Sequence, residues 1–157
     1  MITRTIPEDI FETKLNHIAF AVNKEGFNDC GFAGEVACRY WPELMECGEH
    51  EIGEVISKKI GNKTYHALVC HSLKEGWGDN QREVIKQCFN NIPVDNDVPI
   101  SSIAIGTGLI GRLSGADFGQ IICGMFDSDK NIAIHMGGTV EQMKEFYESQ
   151  NQNRKSK

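Results

Sequence analysis

The chain has 157 residues, 40% of them hydrophobic and 24% charged, with a formal net charge of −6. That length suits one domain with one sizeable core. The acidic balance excludes a bulk electrostatic grip on nucleic acid, and no apolar run approaches the roughly 20 residues of a membrane helix.

MITRTI, at the start, is a candidate strand, and MITRTIPEDIF has no apolar core of a secretory signal. NHIAFAV (16–22) is an apolar run of strand length, followed by the turn-rich NKEGFNDCG (23–31). FAGEVACRYWPELMEC (32–47) places Phe32, Val36, Tyr40 and Leu44 on one helical stripe, and Pro42 bends or restarts that helix. EVISKKI (54–60) and KTYHALVCHS (63–72) flank Gly61-Asn62 and predict a hairpin. DNQREVIKQCFNNI (79–92) predicts a helix with Val84, Ile85, Cys88 and Ile92 on its apolar side. PISSIAIG (99–106) predicts a buried strand, ADFGQIICGMF (116–126) a helix, and NIAIHM (131–136) a strand. TVEQMKEFYES (139–149) predicts a terminal helix capped by Thr139, and 151–157 a disordered tail.

Helices alternate with short apolar strands. The pattern implies a three-layer α/β/α sandwich with a mixed, mainly parallel sheet, one domain over 1–150.

Six cysteines (Cys30, Cys38, Cys47, Cys70, Cys88, Cys123) and five histidines (His17, His50, His66, His71, His135) invite a metal or disulfide reading. No C-x-x-C occurs, and neither set has ligand spacing. Buried free thiols in a cytoplasmic protein are expected, with no structural metal and no cofactor.

IAIGTGLIGRL (103–113) contains G-x-G-x-x-G at Gly106, Gly108 and Gly111. A dinucleotide-binding turn would open the first βαβ unit, with an acid ending a strand about 20 residues on. Here only one further strand follows, and Asp127 and Asp129 precede it. The context rejects that reading and leaves two. Either the loop cradles phosphate with backbone N–H groups at the sheet's carboxyl edge, or its glycines serve a tight turn.

A second loop of the same kind, NKEGFNDCGFAGEVA, also leads from strand to helix. Together the motifs PEDIF (7–11), IAFAVN (18–23), NDCGFAGEVA (28–37) and IAIGTGLIG (103–111) resemble the macro domain, over about residues 2 to 137. The resemblance looks closest to the branch holding the terminal ADP-ribose–protein glycohydrolases and the DNA ADP-ribose-removing antitoxins. Two positions depart from that pattern. Glu8 stands where a glycine is usual, and the triple-glycine loop is reduced to Gly31-Phe32-Ala33-Gly34.

The resemblance implies an ADP-ribose site, with ADP-ribose or an ADP-ribosylated macromolecule as partner. Asp9 would accept from the adenine amino group, beside the Ile10 backbone. Gly106, Thr107, Gly108, Leu109, Ile110 and Gly111 would wrap the diphosphate. Gly31, Phe32, Ala33 and Gly34 would form the other wall, and Asn23 would face the distal ribose. Without the resemblance, Asp9 is equally a turn cap and Asn23 an ordinary strand-ending residue. Phe126 and Met136 would pack either on adenine or in the core.

The hydrolases of that branch use a lysine, an acid in the second glycine loop, or both. Neither stands at its expected place here. Asn23, His71 and Lys74 are the remaining catalytic candidates. Two functional classes stay open: removal of ADP-ribose from a macromolecule, and binding without turnover.

Overall fold

The computed structural model describes residues 1–29, 31–105 and 115–135. The glycines of 106–111, Met136, the helix expected over 139–149, the tail and Cys30 lie outside the described residues.

Six strands form one sheet in the order β1-β6-β5-β2-β4-β3. They are β1 (Ile2–Ile6), β2 (His17–Asn23), β3 (Val55–Ile60), β4 (Lys63–His71), β5 (Pro99–Ile103) and β6 (Asn131–His135). Five run parallel, and β3 alone returns antiparallel on β4. Ile60 pairs with Lys63 across the two-residue loop. Gly61 there has φ +65°, the backbone a type II′ hairpin turn needs at its first central position.

Among the described residues three helices cover the sheet: α1 (Gly31–Arg39), α2 (Gln81–Asn90) and α3 (Gly115–Asp127). Short 3-10 helices stand at Ile10–Glu12 and Pro42–Met45. Pro42 does restart the chain after α1, and Tyr40, expected on the helical stripe, falls just past the helix end and is exposed.

Strand alternation splits the core in two. Ile18, Phe20 and Val22 of β2 pack with Tyr65, Ala67 and Val69 of β4 under α1. Ala19 of β2 and Leu68 and Cys70 of β4 face the other way, under α2 and α3. A parallel strand buried on both faces must be apolar at successive positions, which is what IAFAV is. The edge strands differ. β1 exposes Thr3, Arg4 and Thr5, and β3 carries Lys58 and Lys59, polar groups that discourage edge-to-edge pairing.

The five described cysteines are free, but Cys38 is exposed and Cys47 and Cys123 are partly so. That corrects the expectation of uniformly buried thiols: Cys38 sits on the outward face of α1. Phe126 is also exposed, at 53%, and joins neither core cluster. Its place near the end of α3 turns it outward.

α2 and α3 cross closely. A Cβ built on Gly124 would lie 2.4 Å from the Arg82 carbonyl oxygen and 3.0 Å from Ile85 Cβ. Backbone cannot yield there without separating the helices. Gly124→Ala is expected to cost about 1–3 kcal/mol through overpacking; urea denaturation of the variant measures it, and an unchanged midpoint would refute the close crossing.

At the amino ends of β2 and β4, His66 is 1% exposed. One ring nitrogen lies 2.9 Å from His17 Nδ1 and the other 2.6 Å from Ser57 Oγ. Burial, then the neighbouring His17 and Lys130, push His66 down to about 4. Unfolded histidine titrates near 6.5. Between those values the unfolded chain binds more protons, so stability falls as pH drops from about 6.5 to about 4. Denaturant midpoints across this window should fall in wild type and fall less steeply in His66→Asn, where the other lowered histidines, His17, His71 and His135, still titrate.

Candidate functional site

The sheet's carboxyl edge opens into a cleft of about 750 Å³. It lies at the ends of β5 and β6, between the Ile10–Glu12 helix and α1, with Ile103 and His135 at its sheet side.

One wall comes from the turn after β1. Ile10 is buried against Ile18 and Phe20, which anchors the turn to the core. Asp9 caps the 3-10 helix: its Oδ1 accepts the Phe11 N–H at 3.0 Å. Its carboxylate is exposed and lines the cleft beside Glu8 and Ile10. The cap and the cleft-facing position therefore belong to one residue.

The facing wall is α1. Gly31, Phe32, Gly34, Glu35, Cys38 and Arg39 line the cleft at helical spacing. The first N–H groups of a helix lack intrahelical partners, and the helix dipole favours an anion there. Gly34 lets the preceding loop lie on the helix, since a Cβ would stand 2.8 Å from the Asp29 carbonyl carbon.

Phe32 occupies neither an open subsite nor the deep core. Its ring stacks on Phe11 at 5.0 Å and meets the edge of Phe20 at 5.6 Å. The Arg39 guanidinium stands 4.3 Å over the Phe11 ring and pairs with Glu35 at 3.1 Å. Phe32 thus builds the wall that glycine leaves open.

Under the Asp9 turn runs a buried polar chain. His135 Nδ1 is 3.2 Å from the Glu8 carbonyl oxygen, and Nε2 is 3.1 Å from Ser101 Oγ. Ser101 Oγ is 2.7 Å from Thr13 Oγ1, which accepts the Leu15 N–H at 3.2 Å. Burial lowers the His135 pKa. Lys63 Nζ donates to the Thr13 and Leu15 carbonyls at 2.7 and 2.9 Å, fixing the chain's far end.

Of the residues singled out by sequence, Asp9, Ile10, Gly31, Phe32 and Gly34 come together in this cleft. Ala33 is buried on the core side of α1 and does not line it. Asn23 builds its own loop. Its Oδ1 accepts the Gly26 and Phe27 N–H groups at 2.9 and 3.1 Å, and its Nδ2 donates to the Phe27 carbonyl and to Asn28 Oδ1.

Asn23 pairs in register with His71, at the ends of β2 and β4. His71 stacks on Trp77 at 4.7 Å and burial lowers its pKa. Beside it, Glu25 accepts from Ser72 Oγ and the Leu73 N–H, which hold its carboxyl down to about 2. Lys74 follows, its N–H donating to Ser72 Oγ. Asn23, His71 and Lys74 thus form a second group, outside the described cleft lining. β5 stands between β6 and β2, so the strand that leads into GTGLIG ends between the two groups.

Glu8, Phe11, Asp29, Glu35, Cys38, Arg39, Ile103 and His135 line the cleft without having been singled out for it. The α1 residues were open to inference from spacing, because 32, 35 and 39 share a helical face. His135 carried no local signal beyond its place at a strand end. Among the described residues, no three His, Cys, Asp or Glu side chains are placed to hold a metal ion, and no helix is long and apolar enough to cross a membrane.

No family model matches the chain, and no curated protein does. Solved structures do. An Oceanobacillus iheyensis macrodomain mutant with ADPR superposes with a TM-score of 0.66 at 18% identity, covering 94% of this chain and 91% of that one. The macrodomain of Mycobacterium tuberculosis DarG superposes with a TM-score of 0.65 at 17% identity, covering 86% and 97%. Alphavirus P23pro-zbd matches at 0.63 and 12% identity; the chain aligns over 96% of its own length but spans only 24% of that protein. The mixed six-stranded sheet between helical layers, with these likenesses, establishes that the chain has the macrodomain fold.

Proposed function

We propose that the cleft binds ADP-ribose, free or carried on a macromolecule. The observation that carries this reading is the pairing of an exposed acceptor carboxylate, Asp9, with the amino end of α1 across one cleft. A carboxylate accepts from the exocyclic amine of a base. Free N–H groups at a helix start donate to a diphosphate. The volume falls within the range of small-ligand sites. The solved structures similar to this chain include macrodomains with ADPR and with ADP, which supports the same ligand class.

GTGLIG is the proposed second wall of the diphosphate site. It leaves the carboxyl end of β5, beside Ile103, which lines the cleft. The five described cysteines are free, which suits a reducing compartment, and cytoplasm is the proposed location. Turnover is decided by one assay: release of ADP-ribose from mono-ADP-ribosylated protein or DNA. His71, half-buried, stacked on Trp77 and beside the Glu25 carboxylate, is the side chain to replace first if release occurs.

ADP-ribose at about 100 times its dissociation constant should stabilise the fold by roughly 2.7 kcal/mol, read as a melting shift. Asp9→Ala should weaken binding by roughly 1.5–3 kcal/mol, more than the ~1 kcal/mol a lost cap costs the fold. Calorimetry and melting on the same sample separate the two effects. No shift at millimolar ADP-ribose, in folded protein, would sink the proposal.

Gly108→Val tests the second wall. A phosphate cradle brings N–H groups within about 3 Å of the oxygens, and a β-branched side chain at closest approach prevents that. Binding should be lost while circular dichroism remains native. If the glycines serve only the turn, the melting temperature falls instead and the folded fraction binds normally.

A further inference from the structure

The buried chain under the Asp9 turn has only one consistent order of protons. The Glu8 carbonyl can only accept, so His135 Nδ1 carries a proton. In a neutral imidazole Nε2 is then the acceptor, and Ser101 Oγ–H must donate to it. Ser101 Oγ in turn accepts from Thr13 Oγ1–H, because its own proton is spent. Thr13 Oγ1 accepts the Leu15 N–H. Every hydrogen runs the same way, from Leu15 to Glu8.

The chain ties β5 and β6 to both ends of the segment that holds Asp9. His135, Ser101 and Thr13 are 3%, 0% and 5% exposed, so water does not substitute for the links. An imidazolium would break the order: with both nitrogens donating, one buried hydroxyl hydrogen loses its acceptor, at the full cost of an unmet buried group. Burial of the ring works in the same direction and outweighs the opposing pull of the Glu8 carbonyl and of the Glu8 and Asp9 carboxylates, with the repulsion of Arg4 from β1 on its side.

We propose that His135, held neutral with its proton on Nδ1, is a positioning residue that fixes the Glu8–Asp9 turn and thereby sets the cleft's preference for a base bearing an exocyclic amine. The proposal rests on the ADP-ribose reading above. A carboxylate held in one place accepts from the amine of adenine. It meets an oxygen, another acceptor, at the same position of hypoxanthine. A site built to pair with a hydrogen-bonding group rejects the analogue lacking it, but only while the site's own group is held. A loosened Asp9 turns aside, and discrimination falls with it.

The test uses the full chain, ADP-ribose, and the same molecule with hypoxanthine for adenine. In ligand-free wild type, nitrogen NMR of the histidine rings should show a proton on His135 Nδ1 and a bare Nε2. His135→Phe, which removes both links, should lower affinity for ADP-ribose about tenfold and change affinity for the hypoxanthine analogue less than about twofold. His135→Asn, whose amide still donates to the Glu8 carbonyl, should keep most of the preference. Ser101→Ala, which removes only the donor to Nε2, gives a second reading if His135→Phe fails to fold, and should also narrow the preference.

A proton on Nε2 at neutral pH overturns the proposal. So does an equal loss for both ligands, which marks His135 as part of the general scaffold. Wild type that binds neither ligand overturns the ADP-ribose reading, and the preference with it, whereas unequal binding in wild type that survives both His135→Phe and Ser101→Ala overturns the positioning role alone.

Discussion

Burial of four parallel strands on both faces is the constraint from which the rest follows. β2, β4, β5 and β6 can be dry only if helices cover each side, and parallel neighbours need crossovers long enough to supply those helices. α1 and the two 3-10 helices occupy one face, α2 and α3 the other. The crossovers bring every parallel strand out at one edge. Loops gather there because the interior has no room for unpaired backbone.

That edge is not uniform. Toward β6 it opens into a cleft whose walls carry Asp9 and the start of α1. Toward β4, Asn23, Glu25 and Ser72 spend polar atoms on the loops themselves. The same residue types serve opposite ends. Asn23 stiffens a loop, while Asp9 caps a helix with one oxygen and still faces solvent. Burial decides between these roles, since a buried amide must satisfy itself nearby.

Phe32 shows how a departure from a glycine-rich loop is absorbed. A bulky ring at the start of a helix faces either the ligand or a partner. Phe11 and Phe20 provide the partner, at 5.0 and 5.6 Å. Aromatic packing of this kind is worth roughly 0.5–1.5 kcal/mol beyond the area it buries, which offsets the lost freedom of the loop. The cleft persists with an aromatic wall.

The sequence by itself determined the local elements. The apolar run NHIAFAV announced a strand, Gly61-Asn62 a tight hairpin, and Pro42 the break after α1. These follow from periods and backbone limits that act over a few residues. That Asp9 and Ile10 stand together on one wall of the cleft was legible, because they are contiguous in one motif. Which polar side chains meet was decided only by the tertiary structure. His135 and Glu8 are 127 residues apart in sequence and 3.2 Å apart in space, Ser101 and Thr13 are 88 apart and 2.7 Å. No local period encodes such pairs. They exist because the pairing of β6 with β5, and of β1 with β6, puts two strand ends and one turn at the same corner of the sheet, where buried polar groups have only one another to satisfy.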